Sequence, residues 1–83
     1  MENKTIIYTM HNCIYCISQK KWMETNHFQY EERNIIKSAD YEQEFRDLNG
    51  TGTPLTIIYG KDGKKTTVMG FNQERLESLL VKS

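Results

Sequence analysis

Residues 5–16 have the sequence TIIYTMHNCIYC, in which an apolar run, a short polar turn and two cysteines follow one another. The first four residues, 5–8, are β-branched or aromatic, and this composition predicts a short buried strand. Residues 11–12 are typical of a turn, and the chain from there to about position 26 suits a helix. The stretch therefore predicts a strand, a turn and a helix, with Cys13 at the start of the helix.

Cys13 and Cys16 are the only cysteines in the chain. A disulfide across two intervening residues would be a poor structural staple, because stabilisation grows with the length of the closed loop. A sulfur at a helix N-terminus is stabilised as the thiolate by amides that lack helical acceptors and by the helix macrodipole. The spacing therefore predicts redox chemistry, with Cys13 as the nucleophile and Cys16, one turn further into the helix, as the resolving thiol.

Two basic side chains lie close to this motif in the sequence, His11 in the turn and Lys20 in the helix. A positive charge near a thiol favours its ionised form, so both are candidates for tuning the pKa of Cys13. For Lys20 the alternative is an ordinary solvated lysine on the outer face of the helix.

A structural zinc site is the main non-enzymatic alternative, and it normally needs four ligands. Cys13, Cys16 and His11 supply three of them. His27 is eleven residues beyond Cys16, which is about 16 Å along a continuous helix. The spacing therefore argues against a metal site.

The rest of the chain alternates between strand and helix patterns. The predicted elements are a strand at 28–35, a helix at 41–48 preceded by the N-cap Ser38, strands at 55–59 and 66–69, and a helix at 73–80. On the first helix, Trp22 and Met23 are predicted to face the core, with Ser18 on the same side.

The predicted order of elements is β-α-β-α-β-β-α. The first two strands are joined through a helix, which favours a parallel pair with a right-handed crossover. Residues 60–63, Gly-Lys-Asp-Gly, predict a tight turn between antiparallel strands. The fold class is therefore α/β, with a four-stranded mixed sheet flanked by three helices, and residues 1–83 are predicted to form a single domain.

The composition excludes several classes of function. Hydrophobic residues make up 37% and charged residues 27% of the chain, as in soluble domains, and no run approaches the length of a membrane helix. The 11 basic residues equal the 11 acidic residues, so the basic excess of a nucleic-acid-binding protein is absent. The start of the chain has no apolar signal core, and we expect a cytoplasmic protein.

Several motifs together give the chain a resemblance to the glutaredoxin family of the thioredoxin superfamily. They are Ile7-Tyr8-Thr9, Cys13-x-x-Cys16, Lys20, Thr53-Pro54 and Gly70-Phe71. Within the family the chain is most similar to the glutaredoxin-like redoxins that serve ribonucleotide reductase. The resemblance implies a thioredoxin fold and a dithiol thiol–disulfide oxidoreductase.

The resemblance also implies a substrate site around the cysteines. In the family the bond corresponding to Thr53-Pro54 is cis and lies beside the active cysteine, so Thr53 would offer its backbone to an extended substrate. Tyr15 would cover the sulfurs or stack on substrate, with an exposed aromatic as the alternative. Gly70 and Phe71 would line the same groove, and core packing is the equal alternative for Phe71.

Three departures from the family pattern bear on the electron donor. Ile14 replaces the usual proline, Met10 replaces a basic residue, and Gly70-Phe71-Asn72 replaces a Gly-Gly-acid element that helps to hold glutathione. The last two departures weaken the case for a dedicated glutathione site, so the external donor is either glutathione or a flavoprotein of the thioredoxin-reductase type. Ile14 and Ile17, placed beside the cysteines, predict an apolar patch for a protein partner.

The resemblance implies no bound cofactor and a monomer as the active form. Its expected partners are disulfide-containing proteins, with ribonucleotide reductase as a candidate, glutathione and a reductase. An iron–sulfur cluster carrier is the alternative function, since some relatives bridge a cluster between two subunits. The missing Gly-Gly-acid element counts against that alternative.

Overall fold

The computed structural model of the protein describes residues 4–81. Its elements are β1 (Lys4–Thr9), α1 (Ile14–Thr25), β2 (Glu31–Asn34), α2 (Ala39–Asp47), β3 (Leu55–Tyr59), β4 (Lys65–Met69) and α3 (Gln73–Val81). Their order confirms the predicted one. β2 is shorter at both ends than the predicted strand 28–35. Phe28 lies before it and packs its ring against Trp22 of α1, with 5.4 Å between ring centroids.

The four strands form one mixed sheet with the order β2-β1-β3-β4. β1 and β2 are parallel, as the intervening helix requires, whereas β1–β3 and β3–β4 are antiparallel. As a result, the end of β1, the start of β3 and the end of β4 lie at the same edge of the sheet.

Apolar side chains cover both faces of the central strands. Ile57 and Ile58 are neighbours in β3 and therefore point to opposite faces. Ile57 belongs to a cluster that includes Phe45 of α2, and Ile58 to a cluster that includes Leu76 of α3 and borders on Trp22 of α1. The helices thus lie on both sides of the sheet, which explains why residues 5–9 of β1 are all buried.

The face of α1 that packs on the sheet differs from the prediction. The buried residues of α1 are Cys16, Gln19 and Met23, which are spaced three and four apart on one face of the helix. Ser18 is exposed, so its predicted place on the core side was wrong. Two residues beyond Cys16, it lies about 200° around a helix with 3.6 residues per turn.

The predicted N-cap of α2 is confirmed, because the Ser38 side chain accepts a hydrogen bond from the Tyr41 amide at 3.4 Å. The helix itself begins at Ala39, before the predicted start at residue 41. The helix is tied to the sheet by Glu44, which accepts hydrogen bonds from Tyr8 at 2.9 Å and from Arg33 at 2.7 Å. None of the helices formed by the described residues combines the length and the apolar character that crossing a membrane requires.

Candidate active site

Three segments of the chain meet at the edge of the sheet where β1 ends. They are the turn that leads into α1, the loop before β3 and the residues after β4. Cys13 lies at the start of α1, and Thr53 contacts its sulfur from the loop before β3. Gly70 follows β4, and its amide donates to the carbonyl oxygen of Pro54 at 2.8 Å.

Cys13 is the N-cap residue of α1, with an extended backbone at φ −98° and ψ 102°. Its sulfur accepts a hydrogen bond from the Cys16 amide at 3.2 Å, and its carbonyl accepts from the Ile17 amide at 3.1 Å. A sulfur in this position receives one of the amides that have no helical acceptor and lies at the positive end of the macrodipole. The predicted place of Cys13 at a helix N-terminus is therefore confirmed.

Cys13 and Cys16 are joined by a disulfide, with 5.2 Å between their Cα atoms. Only 2% of Cys16 is exposed, whereas Cys13 is half-buried. An incoming sulfur therefore reaches Cys13 more easily than Cys16.

The loop before β3 contacts the outer sulfur. The Thr53 hydroxyl donates to Cys13 Sγ at 3.4 Å, and the Thr53 carbonyl oxygen lies 3.6 Å from the same sulfur. The Thr53–Pro54 peptide bond is cis, as the family resemblance implied. Gly70 adopts a left-handed φ of +73°, which glycine accepts readily, and its amide is the group bonded to the Pro54 carbonyl.

Exposed apolar side chains lie in the first turn of α1 and at the strand ends on this edge of the sheet. Ile14 is 74% exposed, Tyr15 67% and Ile17 59%, all in the first turn of α1. Met10 before the helix and Met69 at the end of β4 are also exposed. These five residues are called the apolar rim below.

Phe71 does not belong to the rim. Its ring packs against Trp22, with 5.9 Å between the centroids, and it borders the core cluster that contains Val68 and Leu76. This placement agrees with the core-packing alternative for Phe71. Of the pair Gly70-Phe71, Gly70 is the residue that contacts Pro54.

The two residues predicted to tune the pKa of Cys13, Lys20 and His11, differ in their surroundings. Lys20 donates to Glu32 Oε2 at 2.9 Å, and the buried Thr9 hydroxyl donates to the same oxygen at 2.7 Å. Burial of Glu32 raises the pKa of its carboxyl. The hydrogen bonds from Thr9 and Lys20 and the nearby positive charge lower this pKa by more, so that it lies below its usual range. The charge of Lys20 is thus offset by a carboxylate, while His11 is exposed in the turn before Cys13.

A buried polar contact lies behind the cysteines, and sequence reasoning missed it. Gln19 and Thr56 are both fully buried, and Gln19 Nε2 donates to Thr56 Oγ1 at 2.7 Å. The contact joins α1 to β3, the element that follows the Thr53 loop. The spacing of Gln19 from Cys16 and Met23, three and four residues, is the signal that could have placed it on the buried face.

Residues 4–81 contain no group of three or more His, Cys, Asp or Glu side chains placed to hold a metal ion. His27 has a left-handed backbone, with φ +61°, just beyond the end of α1.

Comparison with known proteins identifies the family. The model of the family named Glutaredoxin matches residues 5–62, which is more than half of the chain. The chain belongs to the glutaredoxin family. With its thioredoxin-like fold and its disulfide-bonded Cys13–Cys16 pair, this glutaredoxin is a thiol–disulfide oxidoreductase.

Solved structures with the same fold place the glutaredoxin in the thioredoxin superfamily. The thioredoxin-like protein BC3987 is 32% identical, with a TM-score of 0.78 over 93% of this chain and 100% of the other. NrdH-redoxin from Escherichia coli is 24% identical, with a TM-score of 0.77 over 92% of this chain and 93% of the other. A glutaredoxin from Methanosarcina mazei Go1 is 20% identical, with a TM-score of 0.74 over 93% and 77%. A search of the curated proteins gives no match.

Proposed function

We propose that this glutaredoxin reduces disulfides in other proteins, with Cys13 as the nucleophile and Cys16 as the resolving thiol. The observation that carries the proposal is the hydrogen bonding of Cys13 Sγ, which accepts from the Cys16 amide and from the Thr53 hydroxyl. Both donors would stabilise a thiolate more than a neutral thiol.

The reaction proceeds in two exchanges. The Cys13 thiolate attacks a substrate disulfide, forms a bond to one of its sulfurs and releases the other, which takes up a proton. Cys16 then gives up its proton, attacks Cys13 Sγ and releases the second substrate thiol. The substrate gains two electrons and two protons, and the enzyme is left with the Cys13–Cys16 disulfide.

The substrate lies against the loop before β3. Thr53 and Pro54 hold an extended stretch of substrate chain beside Cys13, in the manner of a short added strand. Gly70 supports this loop through its bond to Pro54, and Tyr15, exposed next to the sulfurs, covers the substrate.

The electron donor is a flavoprotein of the thioredoxin-reductase type. Met10 stands where relatives carry a cation, Phe71 packs against Trp22, and Lys20 is engaged by Glu32, so none of these residues supplies a free charge for a glutathione carboxylate. The apolar rim instead suits a protein surface. NrdH-redoxin, which shares the fold, is a glutaredoxin-like protein with a thioredoxin-like activity profile.

The protein acts as a monomer in the cytoplasm, and ribonucleotide reductase is its candidate substrate. This choice follows the resemblance to the redoxins that serve that enzyme. A test is to supply purified ribonucleotide reductase with the reduced protein as its only dithiol and to measure deoxyribonucleotide formation.

Two measurements test the proposal, the first for the nucleophile and the second for the donor. The rate of Cys13 alkylation in the reduced protein, followed against pH, should rise at a pH well below the value of about 8.5 for a free cysteine. Alkylation that rises only near that value would remove Cys13 from the role of activated nucleophile.

The second measurement identifies the donor. Reduction of insulin by catalytic amounts of the oxidised protein is followed with either NADPH and thioredoxin reductase, or NADPH, glutathione and glutathione reductase. We expect turnover in the first system at least about 10-fold faster, which corresponds to about 1.4 kcal/mol in the barrier. Faster turnover with glutathione would contradict the choice of donor and leave the roles of the cysteines intact.

A further inference from the structure

Gln19 has a carbonyl oxygen that no hydrogen-bond donor contacts. The side chain is 0% exposed, and its Nε2 donates to Thr56 Oγ1 at 2.7 Å and approaches Met23 Sδ at 3.9 Å. Oε1 is the one buried side-chain oxygen or nitrogen among the described residues that has no partner. Removing an amide oxygen from water without giving it a hydrogen-bond donor costs free energy of folding. The burial of Oε1 therefore calls for an explanation.

The neighbour of Gln19 on the same helix face is Cys16. Residues three apart on a helix lie next to each other, and both side chains are buried against the sheet. Contacts between α1 and the β3 segment occur on either side of Cys16. Cys13 meets Thr53 toward the surface, and Gln19 meets Thr56 one to two turns deeper.

The structure contains the oxidised pair, in which neither sulfur carries a proton. Reduction by a dithiol donor transfers two electrons to this pair, and the donor loses two protons as its own sulfurs become bonded. One proton stays on Cys16, which is buried, and the other is released to solvent when Cys13 remains a thiolate. Reduction therefore creates a new buried donor, the Cys16 S–H group, on the helix face that holds the unpartnered oxygen.

We propose that Gln19 is a positioning residue whose Oε1 accepts a hydrogen bond from the Cys16 thiol in the reduced enzyme. The bond holds Cys16 protonated and oriented until the mixed disulfide has formed, and it stabilises the dithiol form over the disulfide form. This inference rests on the proposed redox cycle of Cys13 and Cys16, and it adds a residue to that cycle.

The test is the redox equilibrium of Gln19→Met against dithiothreitol, followed by the fraction of protein with free thiols. Methionine keeps the length of the side chain and removes the acceptor. We expect the equilibrium constant for reduction to fall about 10-fold, which for a two-electron couple is a potential about 30 mV more negative. The control is Thr56→Val, which removes the hydroxyl that binds Gln19 Nε2 but retains Oε1, and which should shift the constant less than twofold.

A spectroscopic measurement keeps the proposal testable if Gln19→Met does not fold. In the Cys13→Ala variant the only thiol is Cys16, and its S–H stretching band should lie below that of a free alkyl thiol because of the bond to Oε1. Three results would each overturn the proposal. They are an S–H band at the frequency of a free alkyl thiol, an unchanged redox equilibrium constant in Gln19→Met, and a change of that constant in Thr56→Val as large as in Gln19→Met. None of these readouts requires turnover, so loss of reductase activity alone would contradict the proposed function and not the role of Gln19.

Discussion

α1 meets the β3 segment at two depths, and the two contacts differ in what they expose. At the surface, here called the mouth, Cys13 contacts Thr53, and both residues are partly open to solvent. One to two turns deeper, here called the floor, Gln19 contacts Thr56, and both are fully buried. The same helix and the same segment thus provide a reactive contact and a sealed one.

With the roles proposed for Cys13 and Gln19, the two depths separate the rate of attack from the balance between the redox states. Hydrogen bonds to a partly exposed sulfur act on the attack rate, because attack needs an accessible thiolate. At the floor, the proposed effect on the redox balance comes from the unpartnered Gln19 Oε1, because a bond from the Cys16 thiol would satisfy this buried oxygen only in the reduced protein. Substitutions at the mouth and at the floor should therefore change different measurements.

The largest effect on the rate of catalysis is expected from replacing Cys13, which carries the more exposed sulfur. Cys13→Ser should lower the rate of protein-disulfide reduction at least about 1,000-fold, since the nucleophile of the first exchange is lost. The measurement is insulin reduction with a saturating donor system.

The matched variant is Cys16→Ser, which retains the outer sulfur. It should still form a mixed disulfide with substrate and then stop, so a covalent adduct should accumulate and be visible by mass spectrometry. Full turnover by Cys16→Ser would contradict the resolving role of Cys16, and adduct formation by Cys13→Ser would contradict the nucleophilic role of Cys13.

A core substitution beside the floor should change stability and leave the mouth intact. Met23 is 0% exposed, and Met23→Ala should lower the free energy of unfolding by about 2–5 kcal/mol through the cavity it leaves. The measurement is urea unfolding of the oxidised protein. The control is Met69→Ala in the apolar rim, where 55% of the side chain is exposed and the change should stay within about 0.5 kcal/mol.

In the folded Met23→Ala protein, the rate of Cys13 alkylation should match that of the parent. A large fall in that rate would mean that the mouth depends on packing around the floor, and the separation drawn above would be wrong.

The start of α1 at the mouth could be predicted from the sequence because its signals are local. The apolar run before Cys13 and the spacing of the cysteines are enough to predict a strand and a helix start. The contact of Thr53 with Cys13 joins residues 40 apart in the chain, and only the family resemblance implied it. The floor was missed although the spacing of Gln19 from Cys16 and Met23 fits one helix face. The apolar residues of the first helix form two blocks, 14–17 and 22–23, and no clear stripe, and Gln19 is polar. Its burial is decided by β3, which supplies Thr56 from 37 residues further along the chain.

The contact of Lys20 with Glu32 could not be predicted from the sequence either, because it also depends on a distant strand. Its position near the cysteines is visible in the sequence, but its partner Glu32 comes from β2, and the register of β2 against β1 decides that the two meet. Likewise Phe71 follows the site in sequence and packs on Trp22 of α1, a contact that depends on how α1 lies on the sheet.

A smaller effect is expected from the hydroxyl at the mouth. Thr53→Val keeps the shape of the side chain and removes the donor to Cys13 Sγ. The rate of Cys13 alkylation at pH 6 should fall about 3- to 10-fold, because a partly exposed hydrogen bond to the thiolate contributes about 1 kcal/mol. The control is Thr51→Val in the same loop, where the side chain is exposed and the rate should not change. Equal rates in the two variants would show that the hydroxyl does not act on the sulfur.

The smallest effect is expected at Glu32, which accepts hydrogen bonds from Lys20 and Thr9. Its pKa is lower in the folded protein than in the unfolded chain, so its contribution to stability is present above the ordinary glutamate pKa of about 4.3. That contribution is lost as the pH falls through the folded value. Glu32→Gln should therefore lower the free energy of unfolding at pH 7 by less than about 1 kcal/mol, since the group is partly exposed and screened.

The same variant should also show a weaker loss of stability between pH 5 and pH 3 than the parent, because the titrating group is gone. Urea unfolding at a series of pH values measures this slope, and Glu77→Gln on the exposed side of α3 is the control that should leave it unchanged. If Glu32→Gln also changed the rate of Cys13 alkylation as much as Thr53→Val does, the Lys20 charge released by the substitution would be acting on the sulfur. Lys20 would then belong to the mouth, as the sequence first predicted.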